Sequence, residues 1–212
     1  MLRFIILKRK PVKLNNKGMT MTEMIVAFAL LALFMVAATR MISYTADIYY
    51  AAKGASYGME VSSMIANKLV GQLEGASRKQ PVSFESADPE GEDAQTPDTN
   101  PIVRRNYNST GDIVKFCDAT GSVVSVYVEN GYVVIHYDEV TNGTVPYDAV
   151  DWKFDSKAYM GYVVKGLHFE NPGSEYPDNV LRITMDLYSA KYGEYHSSYF
   201  VKCVNAEEIR WE

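Results

Sequence analysis

The sequence predicts an α+β fold: one long N-terminal helix, membrane-spanning in its first half, packed through its second half against an antiparallel β-sheet. Three observations predict it. Met19–Ala38 is a run of 20 residues whose only breaks are Thr20, Thr22 and Glu23, followed by uninterrupted apolar sequence from Met24. Helical spacing of small and apolar residues continues from there to about Leu73. From Ile102 onward, short runs rich in β-branched and aromatic residues take over.

The charge distribution orients the chain. Residues 1–18 hold Arg3, Lys8, Arg9, Lys10, Lys13 and Lys17 and no acid, a charge of +6. The remaining 15 basic and 26 acidic residues leave −11 for everything that follows. A basic head before an apolar run keeps the N-terminus cytoplasmic and sends the acidic remainder across. An acidic outer part excludes nucleic acid as a partner, since phosphate binding needs clustered Lys and Arg.

These properties divide the chain into a basic leader at 1–18, a transmembrane half-helix at 19–42 and an extracytoplasmic amphipathic half-helix at 43–75. An acidic loop at 76–101 and a sheet domain at 102–212 complete it. Twenty residues of helix match the ~30 Å of hydrocarbon they must cross. A removed secretory signal is the competing reading, with Val36-Ala37-Ala38 as its cleavage site. Against it, helical spacing runs on past Thr39 without a turn signal, and Arg40 sits where a spanning helix leaves the bilayer and can snorkel.

Beyond the bilayer, Ile48, Ala52, Ala55, Met59, Ser62, Ala66, Leu69 and Leu73 form the predicted packing stripe. Gly54, Gly58 and Gly71 are soft points, each costing up to ~1 kcal/mol relative to alanine; small residues on the stripe would also admit other helices closely. The loop is rich in Asp, Glu, Pro and Gly and has no EF-hand spacing. Predicted strands are Ile113–Cys117, Val123–Val128, Tyr132–Tyr137, Tyr159–Phe169, Val180–Tyr188 and Tyr195–Val204. Asn130-Gly131 predicts a tight primed hairpin turn, and Ala190–Glu194 a longer one.

Enzyme chemistry finds no constellation. Gly54-Ala55-Ser56-Tyr57-Gly58 fits a nucleophile-elbow pattern but lies inside the helical stretch, whereas that motif needs a strand before it. His136, His168 and His196 lack metal-ligand spacing, and no phosphate or dinucleotide loop is present, so neither a metal nor a cofactor is expected. Cys117 and Cys203 admit two readings: a bridge closing an 86-residue separation, worth ~4 kcal/mol in the entropy model, or two buried thiols behaving as small apolar residues.

Glu23 is the residue the rest must explain. A carboxylate at the edge of hydrocarbon is costly, rare and normally partnered. Cleavage after Gly18 would free an α-amino group on Met19, four residues away. When helices pack side by side with an axial offset, that ammonium can meet a neighbour's Glu23. Such a pair sets register, because removing one partner leaves an uncompensated charge at a cost of ~3–5 kcal/mol.

Lys17-Gly18-Met19-Thr20-Met21-Thr22-Glu23 followed by an apolar helix resembles the N-terminal processing motif of type IV pilins and pseudopilins, over about residues 8–42. The resemblance implies cleavage after Gly18 by a prepilin peptidase and N-methylation of Met19. Glu23 becomes the filament-assembly carboxylate, and Thr20, which matches a common residue at the second mature position, is assigned to filament assembly with it. The implied partners are other pilin-like subunits, a membrane platform protein and the lipid bilayer. The implied location is the cell membrane, and an extracellular filament after assembly. Many members carry a C-terminal disulfide, which the resemblance would place at Cys117–Cys203. Met19 in place of Phe, Thr22 in place of an apolar residue, and the lack of a proline near Arg40 depart from the family pattern and weaken the case for a bulk filament subunit. The reading from another class is a single-pass anchored binding module that never polymerises.

Overall fold

The computed structural model describes residues 18–79, 82, 102–139, 148–207 and 209–212. The basic leader up to residue 17 and nearly all of the acidic loop lie outside the described residues. The chain divides into two units, Met1–Ile48 and Tyr49–Glu212.

Helix α1 spans Met21–Glu74. In the first unit its sequence is dominated by Ala, Leu, Met and Phe, with Thr39 and Thr45 hydroxyls donating back to the carbonyls of Met35 and Met41 at 2.8 Å. These internal bonds satisfy the hydroxyls without outside partners, which a helix in hydrocarbon requires of Thr39, the one inside the predicted span. Within this unit the apolar side chains are uncovered: Phe28 is 62% and Phe34 67% exposed. The helix has a mean hydropathy of 2.3 over its most apolar window and is long enough to cross a membrane.

In the second unit the rest of α1 packs on a sheet. The strands are β1 Ile102–Asn108, β2 Gly111–Cys117, β3 Val123–Glu129, β4 Tyr132–Tyr137 and β5 Val150–Lys153. A short 3-10 turn at Ser156–Tyr159 precedes β6 Val163–Glu170, β7 Val180–Ser189, β8 Gly193–Lys202 and β9 Arg210–Trp211. The main order is β5-β4-β3-β2-β6-β7-β8, with β1 pairing β2 and β9. Antiparallel pairing dominates, as the alternating runs predict, but β1–β9 and β2–β6 are parallel. Val61, Ile65, Leu69 and Leu73 of α1 are buried with Phe116, Ile135, Leu167 and Ile183 of the sheet. Each such side chain contributes about 1.5–3 kcal/mol of burial.

The predicted packing stripe holds from Ser62 to Leu73 and shifts before it. Ile48 and Met59 are exposed, and Gly54 and Gly58 are the buried positions instead. The reason is proximity: a Cβ at Gly54 would lie 2.8 Å from Tyr192 Cβ, and one at Gly58 would overlap the Tyr195 ring. The Tyr162 hydroxyl donates to the Gly54 carbonyl at 2.8 Å. These glycines therefore admit the β7–β8 hairpin rather than a second helix.

Asn130-Gly131 forms the expected tight turn between β3 and β4, both residues with positive φ (53° and 79°). Tyr159, expected to open a strand, ends the 3-10 turn, and its buried hydroxyl oxygen accepts a hydrogen bond from the Val133 N–H at 3.0 Å. Strands β1, β5 and β9 were outside the sequence expectation.

Candidate functional site

At the N-terminal end of α1, Thr20 and Glu23 form a reciprocal cap. The Thr20 N–H and hydroxyl donate to Glu23 Oε2 at 2.8 and 2.9 Å, and the Glu23 N–H donates to Thr20 Oγ1 at 3.3 Å. The Met24 N–H closes the first turn on the Thr20 carbonyl at 3.1 Å. Thr20 occupies the N-cap and Glu23 the third helical position, the arrangement of a capping box. Orphan N–H groups at a helix start are thereby satisfied, and a negative charge sits at the positive end of the helix dipole.

Sequence reasoning placed Thr20 and Glu23 at a shared task but missed this local bond set. The signal was present: Thr-x-x-Glu directly before an apolar run is a capping signature. Both hydrogen bonds fall on Oε2, so the cap fixes one carboxylate oxygen and leaves Oε1 outside these contacts. A shallow groove of about 290 Å³ continues from this carboxylate along one helix face, lined by Thr22, Glu23, Val26, Ala27 and Leu30. Preceding the cap, Gly18 and Met19 are exposed, and among the described residues nothing stands within 4 Å of a Cβ placed at Gly18.

In the second unit, polar groups serve the fold. Asp112 is 3% exposed and bound on three sides: Arg104 Nη2 at 2.8 Å, the Phe169 N–H at 2.8 Å and His168 Nδ1 at 3.7 Å. It sits at the single register pair, Gly111↔Leu167, that joins β2 to β6. Gly111 has φ 131°, and any Cβ there would collide with the Leu167 carbonyl, so only glycine permits the splice. The three histidines each face carboxylates: His136 Nδ1 lies 2.7 Å from Asp151, and His196 Nδ1 2.7 Å from Asp186. Asp186 holds His196 above the ordinary imidazole range, first through the hydrogen bond and then through its charge. Among the described residues no group of three His, Cys, Asp or Glu side chains is placed to hold a metal ion. Ser56 of the nucleophile-elbow pattern lies inside α1, without the strand-turn-helix setting.

Cys117 and Cys203 are separate, buried free thiols, which departs from the bridge that the resemblance implied. Cys117 packs with Val82, Val103 and Val123, whereas Cys203 belongs to the main core. Burial pushes the Cys203 thiol up to about 12, with Glu74 adding to the shift.

Residues 13–39 match the family model of the prokaryotic N-terminal methylation motif, the signature of type IV pilins and pseudopilins. The matched stretch contains Gly18, Met19, Thr20 and Glu23 and the first turns of α1. No curated protein and no solved structure matches the chain.

Proposed function

We propose that this chain is a structural, non-enzymatic subunit of a type IV pilus or of a type II secretion or competence pseudopilus. A prepilin peptidase removes the leader after Gly18, and Met19 becomes the methylated N-terminus. The subunit waits in the cell membrane with its N-terminus cytoplasmic and residues 102–212 outside, then joins a filament on a membrane platform protein. The observation that carries this reading is Glu23 at the head of a helix whose apolar side chains are uncovered through Ile48. Lipid tails and neighbouring helices are equally apolar covers, so exchanging one for the other costs little and packing decides. The charge at Glu23 then fixes the register of that packing, with a neighbour's Met19 ammonium as its counter-ion.

A second reading has one observation in its favour. The capping box gives Glu23 a local partner, which is all that a non-polymerising membrane anchor would need. Mass analysis of the mature N-terminus separates the two. The pilin reading expects a methylated Met19; an intact Met1 supports the anchor, and a terminus at Thr39 defeats both.

A further inference from the structure

At Tyr49–Tyr57 of α1 and the β7–β8 turn, tyrosines and lysines interleave. Lys53 Nζ stands 5.7 Å from the Tyr49 ring centre and 5.3 Å from that of Tyr57. Lys191 Nζ, on the turn, stands 5.6 Å from the Tyr50 ring and 5.3 Å from the Tyr192 ring. Such distances are in cation–π range, so the rings hold the ammonium groups without neutralising them. Tyr49 is 57% and Tyr50 45% exposed. Among the described residues neither lysine is in an ion pair, while Glu194, the second residue of β8, stands 3.6 Å from Lys165 and 3.9 Å from His196. In a chain that is −11 after residue 18, these two lysines stand together, with Asp47 the nearest acid on the N-terminal side along α1.

We propose that this tyrosine–lysine patch binds anionic lipid headgroups at the outer rim of the bilayer. Its position in the chain and its chemistry agree on that occupant. Tyr49 follows Ile42 by seven residues, about 10 Å of helical rise, and helical Cβ atoms tilt back towards the N-terminus and so towards the bilayer. Tyrosine, with an apolar ring and a polar tip, is the residue that collects at membrane–water interfaces, and juxtamembrane lysines are drawn to anionic headgroups. The patch would hold the β7–β8 hairpin against the headgroup layer before assembly. The inference rests on the membrane-spanning reading of 19–42.

The test uses the full chain in vesicles carrying a nickel-chelating lipid headgroup, with a nitroxide at Ala190→Cys or, as a control at the other end of β7, at Ser174→Cys. The native thiols are buried and stay unlabelled. Nickel relaxation at position 190 should exceed that at 174 several-fold. It should rise when phosphatidylglycerol is added to phosphatidylcholine and lose that rise in Lys53→Gln/Lys191→Gln. Equal relaxation at both sites, or a value at 190 indifferent to phosphatidylglycerol, overturns the proposal. A third label at Phe34→Cys reads the span itself: if it is accessible to aqueous nickel rather than to oxygen, the membrane reading falls and takes this inference with it.

Discussion

Glu23 has two tasks that ask for different chemistry. A cap needs only an acceptor at the third helical position, which glutamine supplies, whereas docking another subunit's ammonium needs a charge. Glu23→Gln is therefore expected to insert into the membrane like the parent and to fail in filament incorporation by an order of magnitude or more, since 1.4 kcal/mol is tenfold. Glu23→Ala should lose incorporation and also about 0.3–1.5 kcal/mol of helix-start stability, the worth of one half of a capping box. Immunoblotting of sheared filaments against membrane fractions reads both; parental incorporation of Glu23→Gln would leave the residue with capping alone. A second titrating pair has a purely structural reach. Asp186 raises the folded pKa of His196 above its unfolded value of 6.5. Its contribution is complete below pH 6.5 and is lost as pH rises through the higher folded value. An NMR titration of His196 should give a midpoint above 6.5, returning towards 6.5 in Asp186→Asn. A parental midpoint at or below 6.5 would contradict the pairing.

The elements show where sequence reasoning reaches. Local signals located α1, the Asn130-Gly131 turn and the strands β2, β3, β4, β6, β7 and β8, because periodicity and turn chemistry act over a few residues. Strand β9 has two residues, β5 has four, and the β2–β6 splice rests on one register pair. Pairings that short are decided by distant partners, and no local pattern announces them. The cap was legible as Thr-x-x-Glu and the methylation motif as glycine, glutamate and apolar length in register. The glycine face of α1 was not, because Gly54 and Gly58 matter through a hairpin more than 130 residues away in the chain. Three alanine variants separate fit from propensity. At Gly71, among the described residues, nothing lies within 4 Å of a new Cβ, so alanine should gain up to ~1 kcal/mol of helix propensity. At Gly58 the same gain is outweighed by overpacking on Tyr195, a cost of about 1–3 kcal/mol, and Gly54 should behave alike against Tyr192. Thermal melts of the full chain in micelles should rank Gly71→Ala above parent and Gly58→Ala below it. A stabilising Gly58→Ala would mean that the hairpin does not approach the helix this closely.

For the molecule as a whole, the cysteines ask what closes the second unit. The end of α1, the end of β2 and the C-terminal segment already meet through backbone and side-chain bonds. The Ser77 N–H donates to the Cys117 carbonyl at 2.7 Å, the Cys203 N–H to Asn179 at 2.9 Å, and the Asn205 amide to Ala76 at 3.0 Å. With a continuous core between them, these contacts join residues far apart in sequence without a covalent tie. A bridge would instead act mainly on the unfolded chain, adding ~4 kcal/mol by the entropy account. The two states give opposite thiol counts. Native full chain should show no reactive thiol, since both are buried and Cys203 is pushed up to about 12. After unfolding in denaturant without reductant, the free-thiol state exposes two titratable groups per chain and the bridged state none. Two thiols are expected. A count of zero, with one linked peptide pair in non-reducing mass mapping, would restore the bridge and make the closure of this unit dependent on the oxidising side of the membrane.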